Sequence, residues 1–204
     1  MKRTIMSIAN ASIITSEQLS TRLKQGRILP VDATWYLPNV QRNARAEFIQ
    51  KRLPGARFFD LDKIKDTESS LPHMLPSGEL FSTEMRKMGI SRSDEIVVYD
   101  TSALGIFSAA RAYWMFKIFG HSSVMLLNSL SHYSGPYEEG IPNGVTPTKY
   151  PVVDADQNRV ATYEEVLGNI QRHDDVQILD ARPSGRFEGV DPEPRPGEPN
   201  YRIF

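Results

Sequence analysis

Apolar positions along the chain fall into two kinds of pattern, short unbroken bursts and longer stretches with one residue in three or four apolar, which is how strands interleaved with helices read. Thr15-Ser16-Glu17-Gln18 opens the first helix as a capping box, the Thr15 hydroxyl meeting a free backbone N–H while Gln18 reaches back. Leu19 and Leu23 supply its apolar face and Gly26 closes it. Residues 28–32 form a short apolar run ending in an acid, Asp32, and predict a buried parallel strand with its polar residue at the carboxyl end. A helix over about 44–51, a turn at Leu53-Pro54-Gly55-Ala56 and a strand at Arg57-Phe58-Phe59 follow. After a loop rich in Asp, Ser and Pro at residues 60–77, the pattern predicts a helix over 82–88 ended by Gly89 and a strand at 95–100. A buried helix at 107–119, stopped by Gly120, and a strand at 123–127 complete the series. Strands alternating with helices predict an α/β fold: a parallel sheet covered by helices on both faces.

From residue 134 to about 160 the periodicity fades and Gly, Pro, Asn, Asp and Thr dominate, as in a linker. Beyond it Thr162-Tyr163-Glu164-Glu165 forms a second capping box, Val166 and Ile170 share a helical face, and residues 176–180 predict another strand ending in an acid, Asp180. Thr162 lies 147 residues after Thr15 and Asp180 lies 148 after Asp32, so one helix-then-strand unit occurs twice. Only 24 residues follow Asp180, dense in Pro, Arg, Gly and Glu, where the first copy has a helix and further strands. The expected division is a complete domain at 12–137, a linker at 138–160 and an incomplete second domain at 161–204. That second part would bury too little apolar surface to fold alone, so its residues either pack on the first domain or stay mobile.

Composition narrows the chemistry. Lys plus Arg number 24 against 25 Asp plus Glu, which gives no basic excess to attract nucleic acid or an anionic membrane surface. No apolar run approaches the roughly 20 residues that span a bilayer. Cysteine is absent, so the chain as written has no disulfide, no thiolate metal site and no thiol nucleophile. Asp60, Asp62 and His73 lack metal-ligand spacing, and His121, His132 and His173 are scattered, so neither a metal nor a cofactor is expected. Ser102 and Gly105 follow a strand without the Gly-x-Ser-x-Gly pattern of a nucleophile elbow. Lys2 and Arg3, followed by Ser and Thr with no acid before Glu17, leave open a mitochondrial transit segment beside an ordinary frayed terminus, and hence a cytoplasmic or a mitochondrial protein.

One combination of segments goes further. Val31-Asp32-Ala33-Thr34-Trp35-Tyr36-Leu37-Pro38, Pro54-Gly55-Ala56-Arg57-Phe58-Phe59-Asp60-Leu61-Asp62 and Leu71-Pro72-His73-Met74-Leu75-Pro76 stand in order in the first part. Tyr99-Asp100, Ser108-Ala109-Ala110-Arg111-Ala112-Tyr113-Trp114-Met115-Phe116 and Phe119-Gly120-His121 follow. Asp180-Ala181-Arg182-Pro183-Ser184-Gly185-Arg186-Phe187-Glu188-Gly189 and Pro192-Glu193-Pro194-Arg195 come after the linker. Together they resemble the tandem-domain rhodanese family, the thiosulfate and 3-mercaptopyruvate sulfurtransferases, with the sequence stopping inside the second domain.

The resemblance implies a catalytically silent first domain, a second domain whose cysteine carries a persulfide in a loop of backbone N–H groups, and an active site between them. It also implies transfer of a sulfane sulfur from a small anionic donor, 3-mercaptopyruvate or thiosulfate, to cyanide or to a thiol acceptor such as thioredoxin. Arg186 and Arg195 match the family's substrate-binding arginines, and a guanidinium suits a donor's carboxylate or sulfonate oxygens. An arginine after Pro194 resembles the mercaptopyruvate enzymes more than the thiosulfate ones. The alternative is that both arginines solvate a Pro-rich loop. Asp62 and His73 match first-domain positions that handle a proton in some mercaptopyruvate enzymes, the alternative being a loop-stabilising hydrogen bond. The segment Asp100-Thr101-Ser102-Ala103-Leu104-Gly105-Ile106 is the first domain's counterpart of the cysteine loop and is expected to be structural. Trp114, Met115 and Phe116 read as core and Trp35 as an interface aromatic. Two functions stay open: a sulfurtransferase of which these residues alone are inactive, or a non-catalytic rhodanese-like binding or regulatory module.

Overall fold

The computed structural model describes residues 13–103, 105–172 and 176–194. They fall into two units, one holding the chain up to Trp35 together with Asn43–Asp156, the other holding Tyr36–Arg42 and the chain from Gln157 onward.

The first unit is a five-stranded sheet with every pairing parallel. In chain order its elements are β1 (Ile13–Ile14), α1 (Ser16–Lys24), β2 (Leu29–Asp32), α2 (Ala44–Gln50), β3 (Arg57–Phe58), α3 (Gly78–Lys87), β4 (Ile96–Tyr99), α4 (Ala109–Ile118) and β5 (Val124–Leu127). The strands lie in the order β1-β5-β4-β2-β3, which puts β4 and β2 at the centre. β1 escapes a pattern search because two residues cannot display a period of two.

Caps set the helix starts. Thr15 and Gln18 form the capping box on α1, Asn43 accepts from Ala46 N–H at α2 and Ser77 accepts from Leu80 N–H at α3. α3 begins four residues before the predicted 82, because the Ser77 cap starts the helix at Gly78 and its first turn already carries the buried Phe81. α4 begins two residues after the predicted 107, leaving Phe107 in the preceding loop.

β4 is buried at all four positions, as a strand covered on both faces must be. Its Val97 and Tyr99 join Ile14, Leu19, Phe48, Leu53, Met125, Leu127 and Tyr133 in one cluster. Phe59, Phe81, Phe116 and Phe119 form a second, with ring centroids 4.4 to 6.4 Å apart. Pro30 sits inside β2 without loss. The Leu29 and Ala33 amides donate towards β4, so Pro30, of opposite parity, turns its donorless nitrogen to the β3 side, where pairing starts only at Val31.

Residues 138–156 run along the first unit. Arg52 and Glu138 exchange backbone hydrogen bonds, the Thr148 hydroxyl donates to Ile90 O at 2.5 Å, and Asp156 N–H donates to Ile118 O at 3.0 Å. Tyr150 is buried: its carbonyl accepts from the Ser82 hydroxyl at 2.7 Å and its hydroxyl meets His121 Nδ1 at 3.0 Å.

The second unit contains α5 (Tyr163–Arg172) and α6 (Ser184–Phe187). The capping box forms, with Glu165 N–H on Thr162 Oγ1 and Thr162 N–H on Glu165 Oε2. The strand expected at 176–180 does not form, since no described strand lies beside it to complete its hydrogen bonds. Val176 and Leu179 are 60% and 80% exposed.

Candidate functional site

The carboxyl ends of the central strands carry the polar side chains, where open parallel sheets place their ligand sites. At the end of β2 the buried Asp32 carboxylate accepts from both the backbone N–H and the hydroxyl of Thr34, at 2.9 and 2.5 Å. Burial pushes the Asp32 carboxyl up to about 6 in spite of those bonds. Thr34 Oγ1 in turn accepts from Thr101 N–H at 3.0 Å, and Trp35 N–H donates to Ser108 Oγ at 3.0 Å, so the loops after β2 and β4 are tied together.

These ties aim Trp35. Its indole N–H reaches both oxygens of Asp62, 3.1 and 3.2 Å away, across the loop that follows β3. Asp62 Oδ1 also meets His73 Nε2 at 2.9 Å. The Trp35 and His73 rings stand edge to face with centroids 4.9 Å apart, and Phe107 stacks on Trp35 at 6.5 Å. The Asp62 side chain is 65% exposed and that of His73 20%, so the pair is open to solvent along the carboxylate. With Nε2 committed to Asp62, Nδ1 is the ring nitrogen left to exchange a proton with another molecule. Sequence alone brings Asp62 and His73 forward through the resemblance, and the structure places them in contact.

The loop after β4 is closed on Asp100. Its Oδ1 accepts from Ser102 N–H at 3.0 Å, and its Oδ2 accepts from Phe107 N–H at 2.9 Å and Ala109 N–H at 2.8 Å. Three amides, those of Ser102, Phe107 and Ala109, are thus gathered on the Asp100 carboxylate, while Thr101 N–H is held by Thr34 and Gly105 N–H by Ser102 O. Leu104 lies outside the described residues. Arg111 lies in the first turn of α4, and the sequence singles it out only as part of the Ser108–Phe116 motif. Its Nη2 donates to the His73 carbonyl at 2.5 Å.

Arg186 belongs to the second unit and Arg195 lies outside the described residues. Arg186 Nη2 donates to Glu193 Oε2 at 2.5 Å, while Arg182 bridges Glu193 Oε1 and Asp180 Oδ2 at 2.7 and 2.8 Å. The hydrogen bonds from Arg186 hold Glu193 below the usual carboxylate range, and those from Arg182 do the same for Asp180. Asp180, Arg182, Arg186 and Glu193 make a closed cluster of alternating charge. Among the described residues no group of three or more His, Cys, Asp or Glu is arranged to hold a metal ion.

No protein-family model matches the sequence. Individual proteins do. The chain is 38% identical over 197 residues to the 3-mercaptopyruvate sulfurtransferase of Rattus norvegicus, covering 93% of itself and 66% of that protein. To the thiosulfate sulfurtransferase of Cricetulus griseus it is 37% identical over 191 residues, covering 90% of itself and 63% of the relative. It therefore spans slightly less than two thirds of the length of these curated relatives. The structure of SseA from Escherichia coli, a 3-mercaptopyruvate sulfotransferase of rhodanese fold, superposes with a TM-score of 0.77 at 31% identity, over 88% of this chain and 68% of SseA. The chain belongs to the rhodanese family of sulfurtransferases.

Other rhodanese-family structures agree. The Tum1 protein of Saccharomyces cerevisiae matches 93% of this chain and 66% of its own with a TM-score of 0.84 at 32% identity. The sulfur transferase subunit of yeast mitochondrial complex I matches 91% of this chain and 69% of its own with a TM-score of 0.78 at 37% identity. The parallel sheet of the first unit is thus the rhodanese sheet, and the contact of Trp35, Asp62 and His73 lies at its carboxyl edge.

Proposed function

We propose that this chain is part of an enzyme that moves a sulfane sulfur from 3-mercaptopyruvate, or from thiosulfate, to a thiol or cyanide acceptor. The observation that carries the reading is the Asp62–His73 pair, in contact and open to solvent at the carboxyl edge of a rhodanese-family sheet. With 3-mercaptopyruvate, an acceptor thiolate forms an S–S bond to the donor sulfur while the donor's C–S bond breaks. The electron pair stays with carbon as the enolate of pyruvate, which then takes a proton. His73, its ring oriented by the contact with Asp62, is suited to pass that proton on. Arg186 and Arg195 would hold the donor's carboxylate. For Arg186 this requires exchanging Glu193 for the donor, two carboxylates competing for one guanidinium.

The 204 residues contain no cysteine, so by themselves they supply binding and proton-handling groups and no thiolate. The purified 204-residue chain is expected to release no sulfide from 3-mercaptopyruvate with dithiothreitol as acceptor, and turnover there would overturn its proposed inactivity. The protein isolated from its native cells is expected to turn over at least one of the two donors, and failure with both would sink the enzymatic reading. A second reading, a non-catalytic binding module, draws support from Leu71, Met74 and Phe107, which are 59%, 43% and 45% exposed around His73 and Trp35. Gel filtration of the native-cell protein tests it, since a free monomer without partner speaks against a docking role. A mitochondrial location is proposed on the likeness to the yeast complex I subunit, and cell fractionation tests it.

A further inference from the structure

We propose that Arg111 is a positioning residue: by holding the His73 carbonyl it keeps the His73 backbone in the left-handed conformation that sets the imidazole against Asp62. The proposal rests on the proton-handling reading of Asp62 and His73.

His73 has φ +54°, the one positive value among the described non-glycine residues. Cβ crowds the following carbonyl there, so a histidine stays in that region only where its surroundings hold it. Pro72 precedes it, and Asp66 N–H donates to Met74 O at 2.9 Å just beyond it. These contacts close the loop without fixing the plane of the His73 carbonyl. Arg111 Nη2, 2.5 Å from that oxygen, fixes it. A fixed carbonyl sets the direction of the neighbouring Cα–Cβ bond, and with it the imidazole's approach to Asp62 at 2.9 Å and its edge-on contact with Trp35 at 4.9 Å.

The setting of Arg111 suits this role better than charge pairing. Its guanidinium lies over the Trp114 ring, 4.5 Å from the centroid, and no described carboxylate pairs with it. Its Nε is buried without a hydrogen-bond partner among the described residues. Burial draws its pKa down, a cost that an arginine on the surface would avoid. The base of α4 is held in turn by the bond from Ala109 N–H to Asp100, so the anchor stands on a fixed helix.

The test uses NMR on the 204-residue chain and needs no turnover. In the wild type the Arg111 Nη protons are expected as separate resonances, because the bond to His73 O stops rotation about Cζ–Nη; averaged resonances overturn the proposal. In Arg111→Met, which keeps the stem and removes the donors, the nuclear Overhauser contacts between the His73 and Trp35 rings should vanish. The Trp35 indole proton should exchange at least about tenfold faster while the β4 and β5 amides keep their protection. Arg111→Lys, with one donor restored, should recover part of the ring contact. Retained ring contacts in Arg111→Met, or faster exchange throughout the core, would show a merely structural role and overturn the proposal. If Arg111→Met does not fold, the wild-type resonances decide. Proton handling stands or falls separately: a His73→Gln form of the native-cell enzyme with unchanged turnover would sink that reading and leave the Arg111 geometry intact.

Discussion

Asp32 accepts two hydrogen bonds from Thr34, yet burial outweighs them and raises its carboxyl from the ordinary 3.8 to about 6. A raised carboxyl pKa means that the native state holds its proton more tightly than the unfolded chain. This contribution to stability is complete below about pH 4, falls as the pH rises, and is gone above about 6, a range worth roughly 3 kcal/mol. Asp32→Asn keeps an oxygen acceptor for Thr34 and removes the charge. Thermal melts are expected to coincide with wild type near pH 4 and to lie about 5–10 °C higher for the variant at pH 8. Parallel curves across that range would mean that Asp32 does not titrate with folding. Residues also mark the limit of what the sequence discloses. Asp62 and His73 are 11 positions apart with no spacing rule to join them, and only the family resemblance singles them out. Their meeting depends on a positive φ at His73 and on Arg111, 38 positions further on, which no local pattern encodes.

Among the elements, α3 packs tightly against residues 145–154. A Cβ built on Gly78, the first residue of α3, would stand 2.3 Å from Val153 O. Gly78→Ala is therefore expected to destabilise the protein by about 1–3 kcal/mol, although alanine is ordinarily the better helix former. Ser77→Ala, which removes only the cap, should cost about 1 kcal/mol, and urea titration of both variants measures the two losses. The same segment is held by His121, whose two ring nitrogens meet the Tyr150 hydroxyl and the Asp94 carbonyl as a neutral imidazole can. Burial lowers the His121 pKa, so its contribution is present above the unfolded value of 6.5 and is lost as the pH falls through the folded one. Limited proteolysis within residues 134–160 should accordingly run faster at pH 5 than at pH 7.5, after correction for protease activity on an unfolded substrate. Equal rates would mean that His121 does not hold the segment. The elements legible in the sequence are those with a local cause: the capping box at Thr15, the buried run of β4, the glycine stops at Gly26, Gly89 and Gly120. Those that escaped depend on distant partners. β1 is a strand because β5 lies beside it, and residues 176–180 have the composition of a strand without a described neighbour to pair with.

For the whole molecule, the sheet and its topology follow from alternating strand and helix patterns, whereas the chemistry lies in loops that the sheet only holds in place. The family likeness covers 93% of this chain and 66% of the rat enzyme, and the chain's own residues include no thiol. The loop after β4 explains why the first unit is not easily given one. The Ser102, Phe107 and Ala109 amides already converge on Asp100, so this stretch carries its own counter-anion. A cysteine placed there by Ser102→Cys would find those donors taken, and its thiol is expected to titrate near the ordinary value of about 8.5. Iodoacetamide reactivity against pH measures this directly, and a thiolate formed well below neutrality would show that the amides remain available. A stretch that already neutralises one buried anion has little left for a second, so a reactive thiolate there would call for two changes at once, one that brings in the sulfur and one that removes the acid.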